Sequence, residues 1–175
     1  MSSQAQRLET ARLIGTPLGE SDFGVLRLLH SDPRVTATLT TDGKPLAEAS
    51  TRDFLAQAAD HWRNHGFGLM AFRDRTSAEF MGYCGIKHAT VEGTEVIELA
   101  YAVRADQQRK GYATEMSRAS LRFAFDELHL NELVAFTLPH NQASRRVMES
   151  CGFQYDRDIT HTGLPHVLYR LNRQS

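Results

Sequence analysis

The apolar positions of this chain change their spacing once, near residue 66, and that change organises the reading. Before it the spacing is helical, apart from a first strand read in "TARLIGTPL". In "ESDFGVLRLLHSD", Phe23, Leu26 and Leu29, with Val25 and Leu28 beside them, make one stripe, so a helix is predicted. Ser21 or Asp22 can cap it and Pro33 stops it. "TATLTTDGKPLAEAS" reads as a loop, with turn signals at Asp42-Gly43 and Pro45. A second helix is predicted through "TRDFLAQAADHWRNH", capped by Ser50 or Thr51 and ended at Gly66, where a left-handed residue is wanted.

From there the period falls from about 3.6 to about 2. "FGLMAF", "EFMGYCGIKH" and "TEVIELAYAV" predict three successive strands, joined by "RDRTSA" and by a turn at Glu92-Gly93. In the third, Ile97, Leu99, Tyr101 and Val103 share one face, and Glu98, Ala100 and Ala102 the other. A helix from Ala113 to Leu128, a strand "ELVAFTL", a helix opened by Asn141 and closed by Gly152, and two strands in "FQYDRDI" and "HVLYRL" complete the order.

Composition narrows the class. At 175 residues the chain is expected to form one domain over 1–175. Hydrophobic residues make up 41% and charged residues 23%, ordinary for a soluble protein. A net charge of −1 argues against a nucleic-acid partner. No apolar run approaches a membrane span, and "MSSQAQRLET" lacks the apolar core of a signal peptide. Cys84 and Cys151 stand far apart with no CxxC, which fits a reducing cytoplasm.

The candidate chemistry begins at "QQRKGYATE". A strand, then Gln108, Arg109, Lys110, Gly111, Tyr112 and Ala113, then a helix, places a tight loop at a helix N-terminus. Free N–H groups and the helix dipole favour an anion there. Gly111 lets a ligand approach the backbone, Ala113 keeps the first turn open, and Arg109 and Lys110 add positive charge. Neither GxxxxGK(S/T) nor GxGxxG is present, so on its own the loop fits an anion site and a plain surface turn equally.

The wider pattern resembles the GNAT acyltransferase superfamily. Gln108, Gly111 and Ala113 fit its Q/R-x-x-G-x-G/A signature, and "TLPHNQASRRVMESCGF" fits its N-x-x-S/A…GF segment at Asn141, Ala143, Ser144, Gly152 and Phe153. "RLETARLIGTPL…DF", "HWRNHGFGLMAF" and "EFMGYCGI" are similar to the subgroup of ribosomal-protein N-terminal alanine acetyltransferases. The resemblance implies an α/β fold with a mixed, splayed sheet of about seven strands flanked by about four helices. It also implies acetyl-CoA as cosubstrate and an amine as acceptor. The acceptor is a protein N-terminus or, alternatively, a small amine such as a polyamine, an aminoglycoside or an amino-acid analogue. No metal, nucleic acid or membrane takes part, and the subgroup suggests a homodimer. A non-catalytic acyl-CoA-binding module is the rival class.

Residue by residue, the resemblance puts the cofactor pyrophosphate on Gln108 to Thr114 and pantetheine along Leu99, Tyr101 and Val103, with Asn141 and Ser144 as further contacts. Glu98 is a carboxylate inside an apolar strand. It fits a general base for the acceptor amine, or a structural group that faces solvent or pairs with Arg104. Met148 stands where many members carry the tyrosine acid, which leaves Ser144 as the candidate proton donor. Asn141 and Ser144 equally fit a capped first helical turn. His61 and His65 have metal-compatible spacing, but "HWRNH" lacks the glutamate of HExxH and no third ligand is evident, so His65 is read as complementing the helix dipole. Trp62 and Phe67 fit an acceptor pocket or the core, and Cys151 reads as a small buried hydrophobe.

Overall fold

The computed structural model describes residues 6–174; "MSSQA", on which half of the leader argument falls, and Ser175 lie outside them. Eight strands form one sheet in the order β1-β2-β3-β4-β5-β6-β8-β7. They are β1 (Leu8–Glu9), β2 (Leu13–Pro17), β3 (Leu69–Asp74), β4 (Phe80–Val91), β5 (Thr94–Val103), β6 (Glu132–Thr137), β7 (Gln154–His161) and β8 (Leu164–Asn172). Five α-helices cover it: α1 (Phe23–Ser31), α2 (Pro33–Leu39), α3 (Glu48–His65), α4 (Tyr112–Arg122) and α5 (Gln142–Ser150). No helix among the described residues is long and apolar enough to cross a membrane.

The alternation in β5 builds both cores. Leu99 and Val103 pack, with Ile97 and Tyr101 beside them, against Met116 and Ala119 of α4 and Met148 of α5. Ala102 packs on the other face with Leu26, Leu29, Val35, Leu55 and Ala58 of α1–α3. With helices on both faces, apolar side chains leave water on each side of the sheet.

Several boundaries differ from the expectation. Pro33 does end α1, but it also opens α2, where a missing N–H costs nothing. Asp32 caps that turn, its Oδ1 accepting from the Arg34 N–H at 2.9 Å. The segment read as loop is therefore helical up to Leu39. Helix α3 starts at Glu48, before both expected caps; Thr51 lies inside it, turned to a buried histidine instead. Gly66 ends α3 as expected, at φ 73°. Helix α4 is α-helical only to Arg122, and Phe123–Glu127 continue as a wider π turn. The sheet also gains the short β1 at its edge.

Every neighbouring pair of strands is antiparallel except β5 and β6, which are parallel and meet only at Glu98↔Val134. Past that register point the two strands separate.

Candidate active site

The separation opens a cleft of about 1120 Å³, slightly above the roughly 300–1,000 Å³ of ordinary ligand sites and so roomy enough for two substrates. Its walls include Leu99 to Val103 from β5 and Ala135 to Thr137 from β6. Backbone groups on two diverging strands lack ladder partners, so a ligand with amide bonds can pair with them.

At one end lies the glycine loop. Gly111 is the N-cap of α4 at φ 81°, and Arg109 also has positive φ, 61°. Among the described residues nothing accepts from the N–H groups of Arg109, Lys110 or Gly111, and the first turn of α4 has no carbonyl behind it. The Gln108 amide donates to the Val103 carbonyl at 3.2 Å, anchoring the loop to the end of β5. Gln108, Arg109, Gly111, Tyr112, Ala113 and Thr114 all line the cleft; Lys110 does not, its ammonium being turned to Gln107 at 3.0 Å.

Arg12, in the turn before β2, holds this loop from outside. It donates to the Lys110 carbonyl at 3.0 Å and to Glu115 at 2.7 Å, and its guanidinium lies 4.2 Å from the Tyr112 ring centre. Burial would raise the Glu115 carboxyl, but hydrogen bonds from Thr10 and Arg12 outweigh it and hold the group below its ordinary value. Sequence reasoning missed this brace, which spans a separation of 103 residues. Its local trace is Glu115, an acidic residue in the first turn of α4, which the helix dipole by itself already favours.

In the middle of the cleft stands Glu98, 9% exposed. Its partner is not Arg104, which binds Glu79 and Asp106, but Lys87, directly across the β4–β5 ladder, at 3.2 Å. Burial pushes the Glu98 carboxyl up, and the opposing pull of Lys87 and His166 does not cancel it. A carboxyl raised in this way is a better proton acceptor near neutral pH than an exposed one. His161 and His166 line the same part of the cleft, their rings 4.7 and 6.0 Å from Phe136. Burial, then His166, holds His161 below its ordinary value. Arg34, Val35 and Thr38 of α2 also line the cleft, a wall hidden when α2 is read as loop.

Asn141 and Ser144 meet at the start of α5. Asn141 Oδ1 accepts from the Ser144 N–H at 3.2 Å and its Nδ2 donates to Thr137 at 3.0 Å, so the capping role is present and ties α5 to the end of β6. The Ser144 hydroxyl lies 2.8 Å from the Tyr101 hydroxyl. Met148 is buried in the core, so that position offers no acid, whereas Tyr101, expected only as backbone, brings a phenol into the cleft. Trp62 and Phe67 do not line the cleft; Phe67 is buried, and Trp62 donates to the Leu69 carbonyl at 2.7 Å. Cys84 is fully buried and its thiol is pushed up to about 12, and burial also raises half-buried Cys151, so neither is an activated nucleophile.

A family model for the acetyltransferase (GNAT) domain matches residues 12–154. The Bacillus subtilis protein YkkB is 30% identical over 142 residues, covering 81% of each chain. An Aspergillus fumigatus protein named FsC-acetyl coenzyme A-N(2)-transacetylase is 32% identical over 166 residues, 89% of this chain and 68% of that one. Among solved structures, an acetyltransferase from Agrobacterium tumefaciens str. C58 superposes with a TM-score of 0.84 at 26% identity, over 99% of this chain and 98% of that one. The splayed sheet, the helix-capping glycine loop and these matches agree, and the chain belongs to the GNAT acetyltransferase family.

Proposed function

We propose that this acetyl-CoA-dependent N-acetyltransferase acts on acceptors with a single amine, first a protein or peptide N-terminus, which attacks the thioester directly in a ternary complex. The observation that carries the reading is the charge of the cleft wall. Glu98 is the one carboxylate lining it among the described residues, against Arg34, Lys87, Arg109 and Arg146. A polyamine or an aminoglycoside brings several ammonium groups and finds no further carboxylate lining the cleft to receive them, because Glu98 already holds Lys87. The similarity of the upstream segments to ribosomal-protein alanine acetyltransferases supports a protein N-terminus. The name of the Aspergillus relative supports a second reading, a small molecule with one reacting amine.

In this reading the acetyl-CoA pyrophosphate lies on the N–H groups of Gly111 to Ala113, and pantetheine runs along Leu99, Tyr101 and Val103. The N–H near Leu99 polarises the thioester carbonyl. Glu98 takes the proton of the attacking amine, directly or through water. The leaving thiolate receives a proton from Ser144, whose hydroxyl is held by Tyr101. Most of the acceleration comes from holding amine and thioester together, an effect that can supply about 7–11 kcal/mol. The raised thiols of Cys84 and Cys151 support transfer without a covalent enzyme intermediate. We extend the reading to a cytoplasmic homodimer, which a monomer by light scattering at micromolar concentration would contradict.

Two measurements test it. Initial rates over a panel of short peptides, amino-acid amides, a polyamine and an aminoglycoside should favour the acceptors with one amine; a preference for the polycations would overturn the charge argument. Gly111→Val should weaken CoA binding by about tenfold or more, because a β-branched residue resists the left-handed conformation and turns the N–H groups away. Unchanged affinity by calorimetry, in a variant that stays folded, would remove the loop from the site.

A further inference from the structure

The structure supplies the third ligand that the sequence lacked. His61 and His65 lie one turn apart near the end of α3, and His88 of β4 comes up beside them, so that the three candidate ligand nitrogens lie within 4.8 Å of one another. His88 lies past Gly85, the last residue of β4 that pairs with β3. Its backbone N–H has no strand on that side and donates to His61 Nε2 at 3.0 Å. Phe67 packs among all three rings, at 5.1, 6.0 and 5.4 Å from His61, His65 and His88. We propose that His61, His65 and His88 bind one divalent transition-metal ion of the zinc, nickel or copper type, which clamps the C-terminal turn of α3 to β4.

Four features carry this. First, the Phe67 carbonyl can only accept, so the 2.8 Å bond to it fixes the proton of His61 on Nδ1 and leaves Nε2 unprotonated, its lone pair accepting from the His88 N–H, the one bond that an ion would replace. A metal-binding imidazole is oriented in the same way by a partner on its other nitrogen. Second, His61 Nε2 and His88 Nδ1 are 3.1 Å apart, close to the roughly 3.3 Å edge of a tetrahedron with metal–nitrogen bonds of about 2.0–2.1 Å. Third, the ion would sit at a helix C-terminus, where the dipole favours positive charge. Fourth, the cations beside the cluster already have partners: Lys87 is paired with Glu98 and Arg63 with Asp60.

Three imidazoles leave a fourth position for water, and imidazole donors suit borderline ions better than calcium or magnesium. None of the three histidines lines the cleft, so the ion is assigned no part in acetyl transfer.

The test uses tag-free protein treated with EDTA, dialysed, and titrated with zinc or with copper in the absence of CoA. One ion per chain is expected, with nitrogen hyperfine structure in the copper spectrum. The melting temperature should rise by about 5–10 °C when free zinc is a hundredfold above its dissociation constant. His65 and His88 are exposed, so His65→Gln and His88→Gln should fold normally while weakening binding by about tenfold or more, and the double variant should lose it. Turnover should be equal in stripped and loaded protein. Absence of stoichiometric binding, or equal binding by the double variant, would overturn the site. Loss of turnover on stripping would overturn the assignment of the ion away from the chemistry.

Discussion

Glu98→Gln should lower turnover at neutral pH by about 10²–10⁴-fold, the range for loss of a positioned general base, while acetyl-CoA affinity stays unchanged. The substitution keeps the size of the side chain and removes its proton-accepting form. The burial that raises the Glu98 carboxyl also sets the pH dependence of the parent enzyme. Its base form accumulates as pH rises through that elevated value, so the parent rate climbs there and then levels off. The variant must instead wait for free amine, whose reference pKa is about 8 for an α-amino group, so its deficit should shrink as pH approaches that value. A pH–rate series on both proteins with one good peptide acceptor checks this. Equal rates at neutral pH would make the Lys87–Glu98 pair structural. A deficit independent of pH would mean that Glu98 positions the amine rather than deprotonating it.

Stability should fall by up to about 3 kcal/mol as pH drops from about 6.5 to about 4, and His30 is the cause. This residue of α1 is fully buried, with Phe54 and Tyr83 edge-on at 5.1 and 6.4 Å. Nδ1 meets the Thr51 hydroxyl at 3.0 Å, and Nε2 has no partner among the described residues. Burial, and then Arg27, lowers its pKa from 6.5 to about 4. Because the folded value is depressed, the unfolded chain takes up the proton first. The native state is therefore fully favoured above about pH 6.5 and loses that advantage as pH falls through the window. His61 and His161 shift in the same direction, so the test is a difference. Urea unfolding of the parent and of His30→Leu at several pH values should give a clearly shallower slope for the variant between pH 4 and 6.5. Parallel slopes would contradict the assignment. Helix α1 leads directly into α2, whose Arg34, Val35 and Thr38 line the cleft.

What the chain discloses before folding follows from what each signal is made of. Strand β5 declares itself by alternation, β3, β4 and β6 by short apolar runs, and the glycine loop by a glycine at a position of positive φ. Helix α2 does not, because "VTATL" is rich in β-branched residues that weaken helix propensity, and a proline before it resembles a stop. Its helicity comes from the Asp32 cap and from Val35 burying itself in the core. Partners set by strand register or by distant contact leave little local trace. Lys87 opposite Glu98, Arg12 beneath the loop, Tyr101 beside Ser144 and His88 beside His61 are all of this kind. The backbone half of the site was therefore legible from the residues and the family resemblance, whereas the side chains that tune it were not.

The central claim is that the gap opened at Glu98↔Val134 holds the thioester, with phosphate at one end and amine at the other. A crystal structure of the protein with CoA and an acceptor peptide tests it most directly. The account predicts the pyrophosphate against the N–H groups of Gly111 to Ala113 and pantetheine paired with the β5 backbone at Leu99 to Val103. The sulfur should lie within reach of the Ser144 hydroxyl, and the peptide amine should face Glu98 between His166 and α2. Pyrophosphate bound away from Gly111, or an amine entering on a face that Glu98 does not reach, would contradict it.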